Sequence, residues 1–361
     1  MWNEDEQVLI FLTNFDFLNA KKTRQIIELF EKPKNLLLLF ANHKIEVCKI
    51  IGVEHYNEIL NLLDKTFIQN YCNNLEMSGV QCITINSENY PKKLLQLENP
   101  PMVLFCKGDI SLLEKRGIAI VGARMPTMYG RDVTAKFARG LAENGLVIVS
   151  GLADGVDKIS HETALTANGK TIAVLGSGFN KIYPPNNINL AKKIENLGLL
   201  VSEYRPSMGS TLYNFPNRNR IIAGLSDGVL ITEAGEKSGA LHTKEFALDL
   251  GKDVFAVPGN ITSPKSVGTN RIIKSAQCAC VTEYLDILNE FGITAKDVVK
   301  ENKKSVNGIQ KIILDILSDG DLHFDEIKQR AKIDTPTLST YLTTMQINGI
   351  IKKLPSNYYC L

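Results

Sequence analysis

Short apolar runs alternate with helical patterns through the middle of the chain, and this alternation predicts its fold. Residues 118–121, 171–175 and 229–232 are rich in β-branched side chains, and small or polar residues follow each run. Runs of this kind are typical of buried parallel strands, whereas the longer segments between them have helical spacing. The same pattern predicts further strands at residues 82–85, 102–106, 146–149, 199–201, 254–257 and 279–281. Repeated β-α units predict an α/β fold whose core is an extended Rossmann-like parallel sheet with right-handed crossovers.

The first part of the chain shows helical spacing instead. In residues 1–75 the apolar positions recur with the helical period, and Pro33 and Gly52 mark turns. This pattern predicts a small helical (SAM-like) N-terminal domain. Helix-Gly-helix units of this type hold DNA backbone in some proteins. A DNA-contacting role for these residues therefore stands beside a packing or partner-binding role.

The last part of the chain has the pattern of a winged-helix domain. Helical patterns cover residues 309–317, 323–331 and 336–348, and residues 350–354 can pair with residues 358–361 as a hairpin. Three helices and a hairpin in this order are typical of a winged helix-turn-helix. The polar segment before them predicts a linker. The predicted domains are residues 1–75 (helical), 76–292 (Rossmann-like), 293–306 (linker) and 307–361 (winged helix).

Composition narrows the class of protein. The chain has 361 residues, 44% of them hydrophobic and 22% charged, as in an ordinary soluble protein. Its net charge is +2, so any affinity for a polyanion must come from clustered charge. The seven cysteines form no C-x-x-C pair, which favours buried thiols over a zinc site or a disulfide framework. An acidic first segment and the lack of an apolar run of about 20 residues predict a cytoplasmic protein without a membrane segment.

Small and basic residues follow the predicted strands, at the edge where ligands bind in open α/β sheets. Arg124 follows one strand, Ser150 and Gly151 follow the next, and Arg218 and Arg220 converge on the same edge. Arginine side chains and free backbone N–H groups both bind phosphate. We therefore expect an anion site here, with an ordinary surface arginine or a salt bridge as the alternative role for Arg124.

An aromatic residue, Phe215, precedes the arginine pair. A ring beside cationic side chains can stack a nucleic-acid base while the arginines hold the backbone. Packing in the hydrophobic core is the alternative role for this phenylalanine. The sequence leaves both roles open.

Several enzymatic sites are disfavoured. No G-x-G-x-x-G motif follows Gly122 and no P-loop motif occurs, so neither a dinucleotide site nor P-loop ATP hydrolysis is predicted. His161 has no nucleophile at close spacing and is predicted to be structural, while Asp154 and Asp157 are predicted helix caps. Glu233 ends a strand at the crevice, where it could act as a catalytic base or orient one of the two arginines. No metal or cofactor is expected.

A more specific signal comes from a set of short stretches. They are residues 121–124, 150–157, 183–184, 202–203, 257–259 and 268–270, and the Phe-Pro-x-Arg-Asn-Arg block at 215–220. Together these stretches resemble the DNA processing protein A family (DprA, also called Smf). The similarity is dense over residues 80–290, and the order of three domains agrees at both ends.

The resemblance implies a non-enzymatic protein that binds single-stranded DNA. Such a protein protects incoming strands during natural transformation, loads the recombinase RecA onto them, and forms a homodimer through the Rossmann-like domain. The family's groove uses the positions of Arg124, Phe215, Arg218 and Arg220. The same block and the neighbouring turns add Ser150, Gly151, Asn219, Lys237, Ser238, Gly239 and Asn270.

Two features depart from the family or leave its implications open. Some members have a DNA-holding lysine directly after Tyr-Pro. Here Pro185 occupies that position, and Lys181, Lys192 or Lys193 would have to compensate. The third predicted C-terminal helix is poor in basic residues, so we favour protein contact or autoregulation over duplex binding for that domain. Two rival hypotheses remain, a nucleotide hydrolase that uses Glu233 as its base and a scaffold whose chief ligand is the recombinase.

Overall fold

The structure, a computed structural model, describes residues 2–295, 308–347 and 350–361. The chain divides into two units, Met1–Lys296 and Asp297–Leu361. Most of the predicted linker at 293–306 lies outside the described residues, as does Asn348, the predicted end of the last helix. Each unit is therefore described by itself.

A nine-stranded sheet in the order β1-β2-β6-β5-β4-β3-β7-β8-β9 forms the centre of the first unit. The strands are β1 (Gln81–Thr84), β2 (Val103–Gly108), β3 (Gly117–Val121), β4 (Val147–Ser150), β5 (Thr171–Leu175), β6 (Leu199–Ser202), β7 (Gly228–Ile231), β8 (Asp253–Ala256) and β9 (Ala279–Cys280). The strands from β6 to β9 in this order are parallel, and β2 and β1 extend one edge in antiparallel register. The predicted α/β fold with a large, mostly parallel Rossmann-like sheet is confirmed.

Helices cover both faces of this sheet, which explains why its strands are apolar throughout. Those that follow the central strands are α7 (Met128–Glu143), α8 (Val156–Thr166), α9 (Ile188–Leu197), α10 (Asn214–Leu225), α11 (Ala240–Asp249), α12 (Val267–Lys274) and α13 (Tyr284–Glu290). Strand β3 shows the division: Ile118 and Ile120 join the core that α7 covers. Ala119 and Val121 join the opposite core, under α10 and α11.

The strand order reverses beside β3, and this reversal positions the site. From β3 the chain moves outward through β4, β5 and β6, then returns over the opposite face as α10 and enters β7 on the other side of β3. The loops after β3 and β7 therefore diverge to opposite faces. In open α/β sheets a crevice forms at such a reversal, outside the carboxyl ends of the strands.

Six helices precede the sheet, as the helical spacing predicts. They are α1 (Glu4–Leu12), α2 (Ala20–Glu28), α3 (Leu36–Leu39), α4 (Lys44–Ile51), α5 (Val53–Leu62) and α6 (Lys65–Met77). Gly52 joins α4 to α5 with a φ of 88°, a left-handed conformation that suits glycine. These helices share one hydrophobic core with the sheet, in which Phe11 and Phe105 are both fully buried. A boundary between residues 75 and 76 stays a prediction.

The described residues of the second unit, 308–347 and 350–361, form three α-helices and a small sheet. Its elements are α14 (Gly308–Leu317), β10 (Leu322–His323), α15 (Phe324–Ala331), α16 (Thr335–Ile347), β11 (Lys352–Lys353) and β12 (Tyr358–Cys360). The predicted hairpin pairs β11 with β12, and β10 adds a third antiparallel strand that the helical pattern had concealed. Ile313, Ile327 and Leu342 belong to its core. This is the element content predicted for a winged helix.

The shared core predicts that the helices α1–α6 and the sheet unfold together. Trp2 is the sole tryptophan, and its indole Nε1–H donates to the carbonyl of Cys82 in β1 at 2.8 Å. Phe255 lies far along the sheet in β8 and is 1% exposed. Phe255→Ala should lower the free energy of unfolding by about 3–5 kcal/mol, because it leaves a cavity. The urea midpoint of Trp2 fluorescence should fall with it.

The control for this experiment is Leu95→Ala, because Leu95 is 51% exposed and its loss leaves no cavity. The midpoint of Trp2 fluorescence should stay within error in that variant. If Phe255→Ala lowered the circular-dichroism midpoint and left the Trp2 midpoint unchanged, the helices would be a separate folding unit.

Candidate nucleic-acid interface

A cavity of about 520 Å³ opens at the carboxyl ends of β3 and β7, and we call it the strand-end cavity. Its walls come from the loop after β3, the first turns of α10 and the loop between β7 and α11. The structure brings together here most of the predicted site residues, namely Arg124, Phe215, Arg218, Asn219, Lys237, Ser238 and Gly239. Thus residues nearly a hundred positions apart in sequence meet at one crevice, as the parallel sheet requires.

Arg124 is an exposed cation at the mouth of this cavity. Its Cζ lies 5.8 Å from the centroid of the Phe215 ring, which places the guanidinium over the aromatic face. No carboxylate pairs with Arg124 within the described residues. The loop that carries it is fixed, since the Ala123 N–H donates to the carbonyl of Glu233 at 2.7 Å. The salt bridge, one of the two alternative roles for Arg124, is therefore not formed.

The Phe215 ring is half-buried, so it is neither a core side chain nor a free one. It packs against the backbone of Gly176, where an added Cβ would lie 2.8 Å from the ring atom Cδ1. The Tyr183 ring is 5.5 Å away at an angle of 49°. Held by these contacts, the ring keeps part of its surface open to the cavity. This placement favours the predicted stacking role over the core role.

Arg218 is a structural cation beneath the cavity, which corrects the expectation of an exposed phosphate ligand. It is 5% exposed, and its Nη1 donates to the carbonyls of Gly151, at 2.6 Å, and Val174. Burial lowers the pKa of Arg218, and the nearby carboxylate of Asp157 opposes this shift. Its guanidinium therefore ties α10 to the ends of β4 and β5. It adds positive potential to the cavity from below.

Ser150 and Gly151 are also committed to the protein interior. The Ser150 hydroxyl donates to the carbonyl of Ile120 at 2.7 Å, and the Gly151 N–H donates to the carboxylate of Asp157 at 3.1 Å. The backbone N–H that we expected to meet phosphate is thus occupied. Burial raises the pKa of Asp157, while Arg218 acts in the opposite direction. Asp157, which lies in the first turn of α8, thus stabilises the turn that contains Gly151.

Arg220 lies outside the strand-end cavity, contrary to expectation. Its Nη2 donates to both carboxylate oxygens of Glu203, at 2.6 and 2.5 Å, and its side chain lines a different cavity. Asn270 is also absent from the lining, because its amide exchanges two hydrogen bonds of 3.0 Å with the backbone of Gly259. Asn219 reaches the cavity, and its Nδ2 donates to the carbonyl of Gly239 at 3.4 Å. That bond links α10 to the start of α11.

Glu233 is a helix cap, and it orients neither arginine. It is 1% exposed, and its carboxylate accepts from the backbone N–H of Thr127 at 2.8 Å and from the Thr127 hydroxyl at 2.6 Å. Thr127 is the N-cap of α7, where a negative charge also complements the helix dipole. Both oxygens are therefore engaged at the helix start. The hydrolase hypothesis loses the base on which it rested.

Sequence reasoning missed Lys265, a half-buried cation in the wall of the strand-end cavity. It stands in the loop between β8 and α12, and no motif contains it. The signal that could have found it is its position after the carboxyl end of β8. Arg124, Lys237 and Lys265 line the cavity without a carboxylate partner in the described part of the chain. Three such cations around a half-open ring suit an anion that carries planar groups.

The lysine that some family members have at the position of Pro185 is not replaced in the strand-end cavity by Lys181, Lys192 or Lys193. Pro185 is exposed, and Lys181, Lys192 and Lys193 are exposed as well. None of these four residues lines the strand-end cavity. Compensation by one of the lysines stays a prediction.

The described residues offer neither a metal site nor a membrane-spanning helix. Among residues 2–295, 308–347 and 350–361, no group of three His, Cys, Asp or Glu side chains is placed to hold a metal ion. Across the same residues, no helix is long and apolar enough to cross a membrane.

The fold and the site together define a Rossmann-like α/β protein with a cationic, aromatic cavity at the carboxyl ends of its strands. The chain belongs to the DNA recombination-mediator protein A family, whose model matches residues 81–292. It is 45% identical to DNA processing protein DprA of Bacillus subtilis over 214 residues, or 59% of this chain and 72% of the relative. The resemblance found in the sequence is thereby confirmed.

Two solved structures of the family are similar to this chain. DNA processing protein A from Streptococcus pneumoniae is 34% identical with a TM-score of 0.67, covering 80% of this chain and 98% of that one. DNA processing protein A from Helicobacter pylori is 36% identical with a TM-score of 0.54, covering 59% of this chain and 95% of that one. The Helicobacter structure concerns the single-stranded DNA binding mode of that protein.

The buried His161 beneath this site predicts how stability depends on pH. Its Nδ1 lies 2.7 Å from the Thr171 hydroxyl, and burial, with Arg218 in addition, lowers its pKa to about 3. Between pH 6.5 and 3 the unfolded chain binds a proton there that the folded chain rejects. This histidine should therefore reduce the free energy of unfolding by about 1.4 kcal/mol per pH unit as the pH falls through that range.

The variant His161→Asn isolates this effect, because its amide can still meet the Thr171 hydroxyl but does not titrate. Urea unfolding at pH 7 and pH 5 should show a smaller loss of stability in the variant than in the wild-type protein. Equal losses in both proteins would contradict the assignment of a neutral, buried imidazole.

Proposed function

We propose that the protein binds single-stranded DNA across the strand-end cavity and acts by binding rather than by catalysis. The observation that carries this proposal is the set of three cations, Arg124, Lys237 and Lys265, around the half-open ring of Phe215. The cations meet phosphates, and the ring offers a face to a base. Arg218 adds a buried positive charge below them.

A single strand fits these groups better than a duplex does. Stacking on Phe215 requires a base that is free of its partner strand, which a single strand provides without cost. The cavity has a volume of about 520 Å³, so it admits one or a few nucleotides at a time. The binding mode described for the Helicobacter pylori relative supports the same ligand.

The same proposal extends to the role that family membership implies. The bound strand would be protected and passed to the recombinase RecA, and a homodimer through the Rossmann-like unit would hold two such cavities. Membership of the recombination-mediator family supports this part. Coprecipitation with RecA, with and without DNA, tests it separately from strand binding.

Arg124→Ala should weaken binding of a fluorescently labelled oligothymidine and lower its salt dependence. Removal of one phosphate contact lowers the slope of log affinity against log salt by about 0.7 for a single strand. Lys237→Ala should have an effect of the same kind, because Lys237 is exposed at the cavity wall. Fluorescence anisotropy over a series of salt concentrations measures both quantities.

The matched control is Arg139→Ala, which removes one positive charge from the far end of α7, where Arg139 pairs with Glu143 at 3.6 Å. It should leave the affinity and the slope close to those of the wild-type protein. Phe215→Leu separates the two kinds of contact, because it should lower affinity and keep the slope. Unchanged binding by Arg124→Ala and Lys237→Ala would show that the strand lies elsewhere.

A further inference from the structure

A second cavity of about 420 Å³ lies within the first unit, and we call it the side cavity. Its walls come from α1, from the start of α2, from the loop after β6 and from α10. Helix α10 separates the two cavities, since Phe215 and Arg218 line the strand-end cavity and Asn217 and Arg220 line the side cavity. The side cavity is therefore a distinct site.

The strongest charges in its wall neutralise one another. Arg220 is held by both oxygens of Glu203. Arg205 donates from Nε and Nη2 to the two oxygens of Asp16, at 2.9 and 3.1 Å. Because each ion pair leaves little net charge, the walls attract neither an anion nor a cation strongly. Lys21, at the exposed rim, is the remaining cation of the lining. The cavity suits a neutral ligand.

Two polar side chains of the wall are left without a partner. Thr23 is 6% exposed, and its hydroxyl forms no hydrogen bond within the described residues. The half-buried amide of Asn99 likewise has no partner there. The protein leaves the hydrogen-bonding capacity of these two groups unused, so a ligand in the cavity can bond to them. Both side chains therefore favour an occupant with hydrogen-bonding groups on its edge.

Apolar and aromatic residues form much of the remaining wall. Phe15, Tyr204 and Tyr213 contribute rings, and Met102 and Met208 contribute thioethers. Tyr213 is 87% exposed at the side of the opening. Rings and thioethers pack well against flat groups. The volume is near the lower end of the range for small-molecule sites, which is about 300–1,000 Å³.

We infer that the side cavity binds a nucleobase with its sugar. A base is neutral and flat, and its edge carries the donors and acceptors that an amide and a hydroxyl can meet. An apolar side chain of a partner protein would leave Thr23 and Asn99 unpaired, which disfavours it. The base comes either from a free nucleoside or from a strand that continues over α10, and this second source rests on the proposed function.

Equilibrium dialysis of the full chain with radiolabelled adenosine, guanosine, cytidine and thymidine tests the first source. At least one nucleoside should bind, and Thr23→Val and Asn99→Ala should each weaken it by about fivefold to tenfold, as expected for a lost hydrogen bond. Asn99→Ala changes a half-buried loop residue, so it keeps the test valid if Thr23→Val fails to fold. Thr13→Val is the matched control, because Thr13 lines the same cavity but its hydroxyl already donates to Ile10 at 2.6 Å.

A second experiment, with DNA strands, tests whether the base comes from a bound strand. Oligothymidines of increasing length are titrated into the wild-type protein and the same variants. If a strand base fills the side cavity, Thr23→Val and Asn99→Ala weaken binding of long oligothymidines and leave short ones unaffected. Unchanged DNA binding by both Arg124→Ala and Lys237→Ala would overturn the strand site proposed above and leave nucleoside binding in the side cavity intact.

Two outcomes would overturn the inference. One is the absence of nucleoside binding at millimolar concentration together with unaltered binding of long strands by both variants. The other is nucleoside binding that Phe215→Leu abolishes and Thr23→Val does not change, because the nucleoside would then occupy the strand-end cavity.

Discussion

The site depends on one buried guanidinium, that of Arg218. It joins the first turns of α10 to two backbone carbonyls. The carbonyl of Gly151 directly follows β4, and the carbonyl of Val174 lies near the end of β5. Removal of Arg218 would leave the buried carboxylate of Asp157 without the positive charge beside it, and an uncompensated buried charge costs about 3–5 kcal/mol. Gly151 must be a glycine, since an added Cβ would overlap the guanidinium. The position of Phe215 follows, because it lies on the same helix less than one turn away.

The arginines of the Phe-Pro-x-Arg-Asn-Arg block thus build the site and do not form its surface. Arg218 bonds to backbone carbonyls and Arg220 bonds to Glu203, so both side chains are held inside the protein. The cations that remain free around the cavity come from three other loops, as Arg124, Lys237 and Lys265. Arg218 repels the charge of Arg124 and lies close below it. Asp157 offsets part of this positive charge, and an anion bound beside Arg124 would offset more of it.

The spacing of apolar residues predicted the sheet well, because that spacing follows from which side chains the sheet buries. The sequence predicted the cavity for a similar reason: Arg124 and Phe215 meet because parallel strands end at one edge. It failed at Ser150, Gly151 and Arg220, since a motif shows which residues gather and not which way each side chain points. It missed Lys265, which belongs to no motif. Glu233 was also ambiguous, because a carboxylate after a strand can cap a helix or face a crevice.

Within the Phe-Pro-x-Arg-Asn-Arg block, Arg218 and Arg220 hold α10 in place from both sides. Arg218 holds the side toward the strand-end cavity, and Arg220, through Glu203, holds the side toward the side cavity. Movement of α10 toward either cavity would stretch a buried hydrogen bond of a charged group, which contributes about 1.5–3 kcal/mol. The separation of the two cavities is therefore set by the protein. A ligand that reaches both cavities has to adapt to that fixed distance, which favours a flexible chain over a stiff one.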